Sequence, residues 1–398
     1  VRPMYAVMQG AVDKVNRIIQ ENLTAIRVVK AYVRGAHEIE KFEDVNQNLK
    51  NNSERAFRTA VLNMPAMQFV MYGTILAILW FGGNMAMVGS MEVGELTGFL
   101  SYVLQVLNSL MMLSNVFLML TRGLASWRRI REVLDEEIDI TEERAKDIQV
   151  QRGEIEFRNV SFKYQKSAAE NVLEHISFHI LPGQTFGIIG QTGSAKSTLV
   201  QLIPRFYDVT EGEVLVDGHP VQEYPLKGLR DSIAMVLQKN TLFSGTVEDN
   251  LRWGKEDATR EEIDTACRIA CVDEFIDRLE NGYQTELGQG GVNVSGGQKQ
   301  RLCIARAILK RPKVLILDDS TSAVDTATEA KIREGLEKEL PGMTKIIIAQ
   351  RVSSVLHADQ ILILDDGKLN DIGTHRELLE RNQIYQDIYY SQQEGANL

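Results

Sequence analysis

The chain opens on a helical pattern. From Asp13 through Ala31, apolar Val15, Ile18, Ile19, Leu23, Ile26 and Val29 recur three or four positions apart, the repeat of one helical face. A second charged segment, Gly35 to Arg58, follows. The pattern then changes: no charged residue stands between Arg58 and Glu92, and none between Glu95 and Arg122. Each stretch can hold the roughly 20 helical residues that cross a bilayer core, and the runs predict spans at about residues 61–88 and 96–120. Pro65 and Gly73 interrupt the first run, and spanning helices tolerate both better than soluble ones do. A charged helix is expected to continue to about Asp135. From Glu154 onward the period shortens. Six β-rich runs, at residues 155–157, 185–189, 233–236, 314–317, 345–348 and 360–364, alternate with helical segments, the layout of an α/β domain.

Charge gives the membrane part a direction. Lys50, Arg55 and Arg58 precede the two runs and Arg122, Arg128, Arg129 and Arg131 follow them, while the connection between them has no Lys or Arg. The positive-inside rule puts both ends in the cytoplasm and the short acidic turn outside. Two buried helices of a soluble core would be the bland alternative, but charge-free runs this long are hard to bury there. The net charge of −10 argues against a nucleic-acid partner, since such proteins carry basic patches. Cys267, Cys271 and Cys303 are the only cysteines, which suits a reducing compartment and packing roles, not a disulfide framework or a metal site. The chain begins with Val1 inside a helical pattern, and a truncated fragment is expected.

Chemistry concentrates after Glu154. The run Phe186–Ile189 leads into Gly190, Gln191, Thr192, Gly193, Ser194, Ala195, Lys196, Ser197 and Thr198, nearly the G-x-x-x-x-G-K-[S/T] phosphate loop. Backbone amides would cradle phosphates, Lys196 would reach the β/γ oxygens and Ser197 would hold Mg²⁺. Ala195 stands where glycine is expected, and a positive φ there would cost roughly 1 kcal/mol. Further on, the apolar run Val314–Leu317 ends in Asp318 and Asp319; Asp318 suits a Mg²⁺ ligand held through water. Between the two, Ser295, Gly296, Gly297 and Gln298 precede a helix and present amides and a hydroxyl, a second place for an anion or merely a capped turn.

The order of these motifs resembles an ATP-binding-cassette (ABC) nucleotide-binding domain over residues 154–391. Ser295–Gln298 is similar to the family signature. The resemblance implies that Tyr164 stacks on adenine, that Gln238 senses Mg²⁺ and contacts the membrane domain, and that Ser322, Ala323, Val324 and Asp325 form the loop crossing the dimer interface. It also implies a dimer in which each ATP lies between one chain's phosphate loop and the other chain's signature. Residues 20–31 resemble the cytoplasmic extension of the fourth spanning helix of ABC exporters, with a coupling helix around residues 33–40, and the two apolar runs correspond to the fifth and sixth spans. The expected fold is thus an α-helical transmembrane segment, two spans plus long cytoplasmic helices, followed by an α/β P-loop ABC nucleotide-binding domain. Its expected divisions are residues 1–135 for the end of the transmembrane domain, 136–153 for a linker and 154–398 for the nucleotide-binding domain.

Three positions depart from the family pattern. Asp319 stands where hydrolysing members carry glutamate, Gln350 where they carry the switch histidine, and Ala195 where they carry glycine. Aspartate is a methylene shorter, and general-base catalysis is worth about 10²–10⁴-fold. The signature is intact. This combination resembles one side of heterodimeric bacterial exporters, in which a chain with a slow ATP site lends its signature to the partner's working site. The resemblance implies a plasma-membrane ABC-type ATPase exporting amphipathic small molecules with a second half-transporter subunit, in a lipid bilayer, using ATP and Mg²⁺. Catalytic roles would fall to Asp319 and Gln350. A gating membrane protein that binds ATP with little turnover is the competing reading.

Overall fold

The computed structural model describes residues 2–165, 168–319 and 324–396. It forms two compact units, divided between Glu137 and Ile138.

The first unit is helical: α1 (Arg2–Thr24), α2 (Ile26–Ala31), α3 (Gly35–Met87) and α4 (Val93–Leu134). The charged segment from Gly35 and the first apolar run, distinct by composition, are one continuous 53-residue helix with Pro65 inside it. At 1.5 Å per residue α3 is roughly 80 Å long, far more than a bilayer core, so its charged half extends well beyond any membrane. Ala11 and Ile18 of α1 and Ala56 of α3 are buried, and Asn22 donates to Glu38 at 3.0 Å. Gly82 of α3 allows close approach to α4, because a Cβ there would lie 2.2 Å from the Leu96 side chain. Glu92 and Glu95 form a capping box that starts α4.

Phe69 is 81% exposed and Trp80 71%, on a helix with no charged residue along this stretch. Water tolerates so large an apolar surface poorly; lipid does not penalise it. Among the described residues one segment, Gln68–Met87, is long and apolar enough to cross a membrane. The second apolar run lies within α4, together with polar Ser101, Gln105, Asn108 and Ser109.

The second unit is α/β. Along the chain it runs through β1 (Ile155–Phe162), β2 (Leu173–Ile180), β3 (Thr185–Ile189), α5 (Lys196–Gln201), β4 (Glu211–Val216), β5 (His219–Pro220), α6 (Leu226–Ser232) and β6 (Ile233–Val236). Then come β7 (Gly245–Thr246), α7 (Val247–Arg252), α8 (Arg260–Ile269), α9 (Asp273–Ile276), β8 (Glu286–Leu287) and α10 (Gly296–Leu309). It closes with β9 (Val314–Asp318), α11 (Thr326–Glu339), β10 (Thr344–Ile348), β11 (Gln360–Asp365), β12 (Lys368–Gly373), α12 (His375–Arg381) and α13 (Gln383–Ala396).

Of the two main sheets one is antiparallel, in the order β2-β1-β4-β5; the other has the order β12-β11-β3-β10-β9-β6 and is parallel apart from edge strand β12, while β7 and β8 pair separately. The inner strands read as unbroken apolar runs because both faces are covered; every residue of β9 is buried. One core lies between the two sheets, around Phe157, Phe186, Ile316 and Tyr224. A second joins the parallel sheet to α8 and α10, and a third forms under the C-terminal helices around Tyr385.

The acidic stretch read as a linker is packed onto this unit from Ile138 onward. The Lys146 N–H donates to the Glu223 carbonyl at 2.7 Å, Val150 is buried, and the Asp217 carboxylate accepts the N–H groups of Gln151, Arg152 and Glu154.

Candidate nucleotide-binding site

Four neighbouring parallel strands, β3, β10, β9 and β6, end at one edge of the sheet. Their registers align Ile348 with both Ile188 and Asp318, and Val236 with Leu317. The residues just beyond those carboxyl ends are therefore brought together although far apart in sequence. They are the Gly190–Ala195 loop after β3, Gln350 after β10, Asp319 after β9 and Gln238 after β6. Open α/β sheets place ligands at this edge, where strand order reverses.

The loop after β3 is tight. A Cβ on Gly190 would stand 2.1 Å from the Leu364 carbonyl oxygen, so only glycine fits. Gly193 and Ala195 have φ values of 90° and 69°. The alanine thus occupies the left-handed conformation in which a side chain is strained. Ser194, within the loop, is buried. Lys196 opens α5 and curls back: its Nζ donates to the carbonyls of Gly190 at 2.8 Å and Gln191 at 2.7 Å, and to Ser194 Oγ at 3.3 Å. Burial lowers the Lys196 pKa, against the opposing pull of Asp319 and Asp318.

Beside it, Ser197 Oγ donates to Asp318 Oδ1 at 2.9 Å. Burial raises the Asp318 pKa, with Asp319 adding to the rise and the Ser197 hydroxyl and Lys196 opposing it. Asp319 is held differently. Its backbone is left-handed, with φ 47°, and its N–H donates to the Ile348 carbonyl at 3.0 Å. Its Oδ2 accepts from Gln350 Nε2 at 2.8 Å and, more weakly, from Gln238 Nε2 at 3.5 Å. Burial raises this carboxyl's pKa too.

The donor set suits Mg²⁺ with a polyphosphate. A hydroxyl and a carboxylate in contact, both oxygen donors at the mouth of the sheet, are what a hard cation takes, and a buried carboxylate with a raised pKa favours a nearby positive charge. Tyr164 joins the same edge from the antiparallel sheet: its hydroxyl is 2.9 Å from Thr198 Oγ1, and its ring meets Phe162 and Tyr207 edge-on at 4.9 and 5.1 Å. That ring remains half exposed.

Ser295, Gly296, Gly297 and Gln298 are not part of this hydrogen-bonded set. They form the first turn of α10, where Ser295 Oγ accepts the Gln298 N–H at 3.3 Å and Gln298 Oε1 accepts the Ser295 N–H at 2.8 Å. Ser295 and Gly296 face solvent. Ser322 and Ala323 lie outside the described residues; Asp325 caps α11, accepting the Thr328 N–H at 3.0 Å. Gln392 on α13, not among the residues expected from sequence, bonds the backbone on either side of Arg351. No local motif marks it.

Residues 1–110 match the ABC transporter transmembrane region and residues 173–322 the ABC transporter family. The chain is 44% identical over 389 residues to the uncharacterized ABC transporter ATP-binding protein YfiB of Bacillus subtilis (strain 168), covering 98% of this chain and 67% of that protein. It is 35% identical over 400 residues to an ATP-dependent lipid A-core flippase of Legionella pneumophila (strain Paris), covering 99% of this chain and 67% of the flippase. Its fold superposes on a bacterial Atm1-family ABC exporter with ATP bound at a TM-score of 0.84 and 29% identity, over 98% of this chain and 70% of that one. The chain spans about two thirds of the length of these curated relatives. With a transmembrane region ahead of an ATP-binding domain, it belongs to the ABC transporter family and is built like its exporters.

Proposed function

We propose that this chain is one subunit of an ABC exporter that couples ATP binding and hydrolysis to the efflux of amphipathic compounds across the plasma membrane. In this reading residues 1–135 end the transmembrane domain, with spans at about 61–88 and 96–120, and residues 154–398 are the cytoplasmic nucleotide-binding domain. Gly190, Gly193, Ser194, Lys196, Ser197 and Thr198 hold the ATP phosphates, Tyr164 the adenine, and Ser197, Asp318 and Gln238 the Mg²⁺ coordination sphere. These residues would hold Mg²⁺, which would supply positive charge against the phosphates. The partner's signature closes this site, and Ser295, Gly296, Gly297 and Gln298 close the partner's.

Turnover at this chain's own site is slow. The observation that carries the reading is the 2.8 Å bond from Gln350 to Asp319. A base that activates water needs its carboxylate aimed at that water. Aspartate already reaches one methylene less far than glutamate, and here it is held to a neutral amide. Gln350 can donate a hydrogen bond to the γ-phosphate but brings no positive charge. The two substituted positions touch each other while the signature's capping box is intact, which favours a division of labour between two different subunits over a homodimer.

ATP turnover by the full-length protein in detergent tests this, alone and with a partner carrying glutamate and histidine at the corresponding positions, beside an Asp319→Glu, Gln350→His variant. Low activity alone, restored by the partner, supports the heterodimer. Brisk activity alone overturns it, and no activity in any mixture favours an ATP-gated membrane protein instead.

A further inference from the structure

We propose that Gln392, on the C-terminal helix α13, is a positioning residue for nucleotide discrimination: it sets where the Gln350 amide lies. The inference rests on the reading of Gln350 as a γ-phosphate contact.

The geometry is a two-point grip. Gln392 Nε2 donates to the Gln350 carbonyl at 2.7 Å, and Gln392 Oε1 accepts the Val352 N–H at 2.9 Å. A residue on a parallel strand bonds its neighbour in this way, to the carbonyl before and the N–H after the residue it faces. The Gln392 carboxamide therefore stands in for a strand residue opposite Arg351, whose backbone is extended at φ −97° and ψ 129°. Strand β10 ends at Ile348, so the grip carries extended geometry past the end of the sheet. One residue back along the chain, the Gln350 side chain reaches Asp319 at 2.8 Å.

The helix bearing Gln392 is itself fixed. Tyr385 of α13 is fully buried in the cluster that includes Ala349, Val352 and Val355, and its hydroxyl is 2.7 Å from His375 Nδ1. The C-terminal helix thus packs on both flanks of the switch segment and bonds its backbone between them. An ordinary helix-packing contact would need only the apolar part of this arrangement.

The test uses the full-length protein in detergent with Mg²⁺, measuring affinity for ATP and for ADP in Gln392→Met, Gln350→Ala and the double variant. Methionine keeps the length of the side chain and removes both hydrogen bonds. The expected result is that the preference for ATP over ADP falls about 10–100-fold in Gln350→Ala, the size of losing one hydrogen bond to a charged group, and about threefold in Gln392→Met, where that bond is misplaced but not removed. ADP affinity stays within about twofold in each, and the double variant falls no lower than Gln350→Ala, as expected for residues acting through one contact. An unchanged preference in Gln392→Met, parallel losses for ATP and ADP, or full additivity in the double variant would overturn the proposal while leaving the reading of the site intact. An unchanged preference in Gln350→Ala would remove that reading, and this inference with it.

Discussion

Ser197 Oγ and Asp318 Oδ1 are 2.9 Å apart, although 121 positions separate them in the chain. The pair forms because β3 and β9 both flank β10 and end at the same edge. A hydroxyl held against a buried carboxylate offers two oxygen donors of the kind a hard cation takes. Ser197→Ala should lower Mg²⁺-dependent ATP affinity about tenfold and Asp318→Asn by about 10–100-fold, the range for losing groups that hold a metal in place. ATP binding with and without Mg²⁺ is the measurement. Equal losses in both conditions would assign the pair to structure alone.

Acid should release the metal early. Burial holds the Asp318 carboxyl above the ordinary aspartate value of 3.8. A raised pKa means that the folded, nucleotide-free protein binds this proton more tightly than the unfolded chain does. The ionised group therefore costs stability at neutral pH, and the cost disappears as pH falls through the raised pKa. Asp318→Asn should consequently melt higher than the parent at pH 7 without nucleotide, with the gap closing in acid. Over the same window the parent should lose Mg²⁺ affinity, since a cation binds the ionised form.

Ala195→Gly should stabilise the nucleotide-free protein slightly. The alanine has φ 69°, a conformation that costs a side chain roughly 1 kcal/mol, while glycine's extra freedom when unfolded takes back about half of that. A melting temperature higher by about 1–2 °C is expected for a domain of this size. A lower one would mean that the methyl packs favourably enough to outweigh its strain.

Gly190→Ala should act in the opposite direction and far more strongly. The new methyl would meet the Leu364 carbonyl oxygen at 2.1 Å, and both sides of that contact are backbone. The loop or β11 must move, at a cost of several kcal/mol where packing is this close. Loss of ATP binding with a lowered melting temperature is expected; unchanged binding would show that the loop relaxes freely.

Ser295→Ala separates the two ATP sites. It removes a helix cap, worth about 1 kcal/mol, whose hydrogen bonds among the described residues stay within the first turn of α10. ATP binding by the chain alone should persist, and turnover by the mixture with its partner should collapse. Persistent turnover in the mixture would remove the signature's assigned role.

Much of this was legible in the sequence because it is local. The phosphate loop is a contiguous run between a strand and a helix, and the apolar runs of β3, β6, β9, β10 and β11 show their burial directly. The Ser295 and Gln298 pair announces the start of α10, since a cap acts within one turn. The charge-free stretches from Arg58 to Glu92 and Glu95 to Arg122 are likewise visible without coordinates. Helix continuity was less so: a change from charged to apolar composition does not break a backbone, and α3 runs through both segments and through Pro65.

What only the tertiary structure decided is which distant groups meet. Strand order and register set the partners of Asp319, bringing it Gln350 and Gln238 from either side. The same folding put the Asp217 carboxylate under the acidic stretch that composition alone marks as a linker. Gln392 has no signature at all, being one polar residue on an exposed-looking helix until α13 docks. The reason is physical: local patterns report the period of burial along one element, whereas a site is made where separate elements end, and their meeting is fixed by packing that no short window of sequence contains.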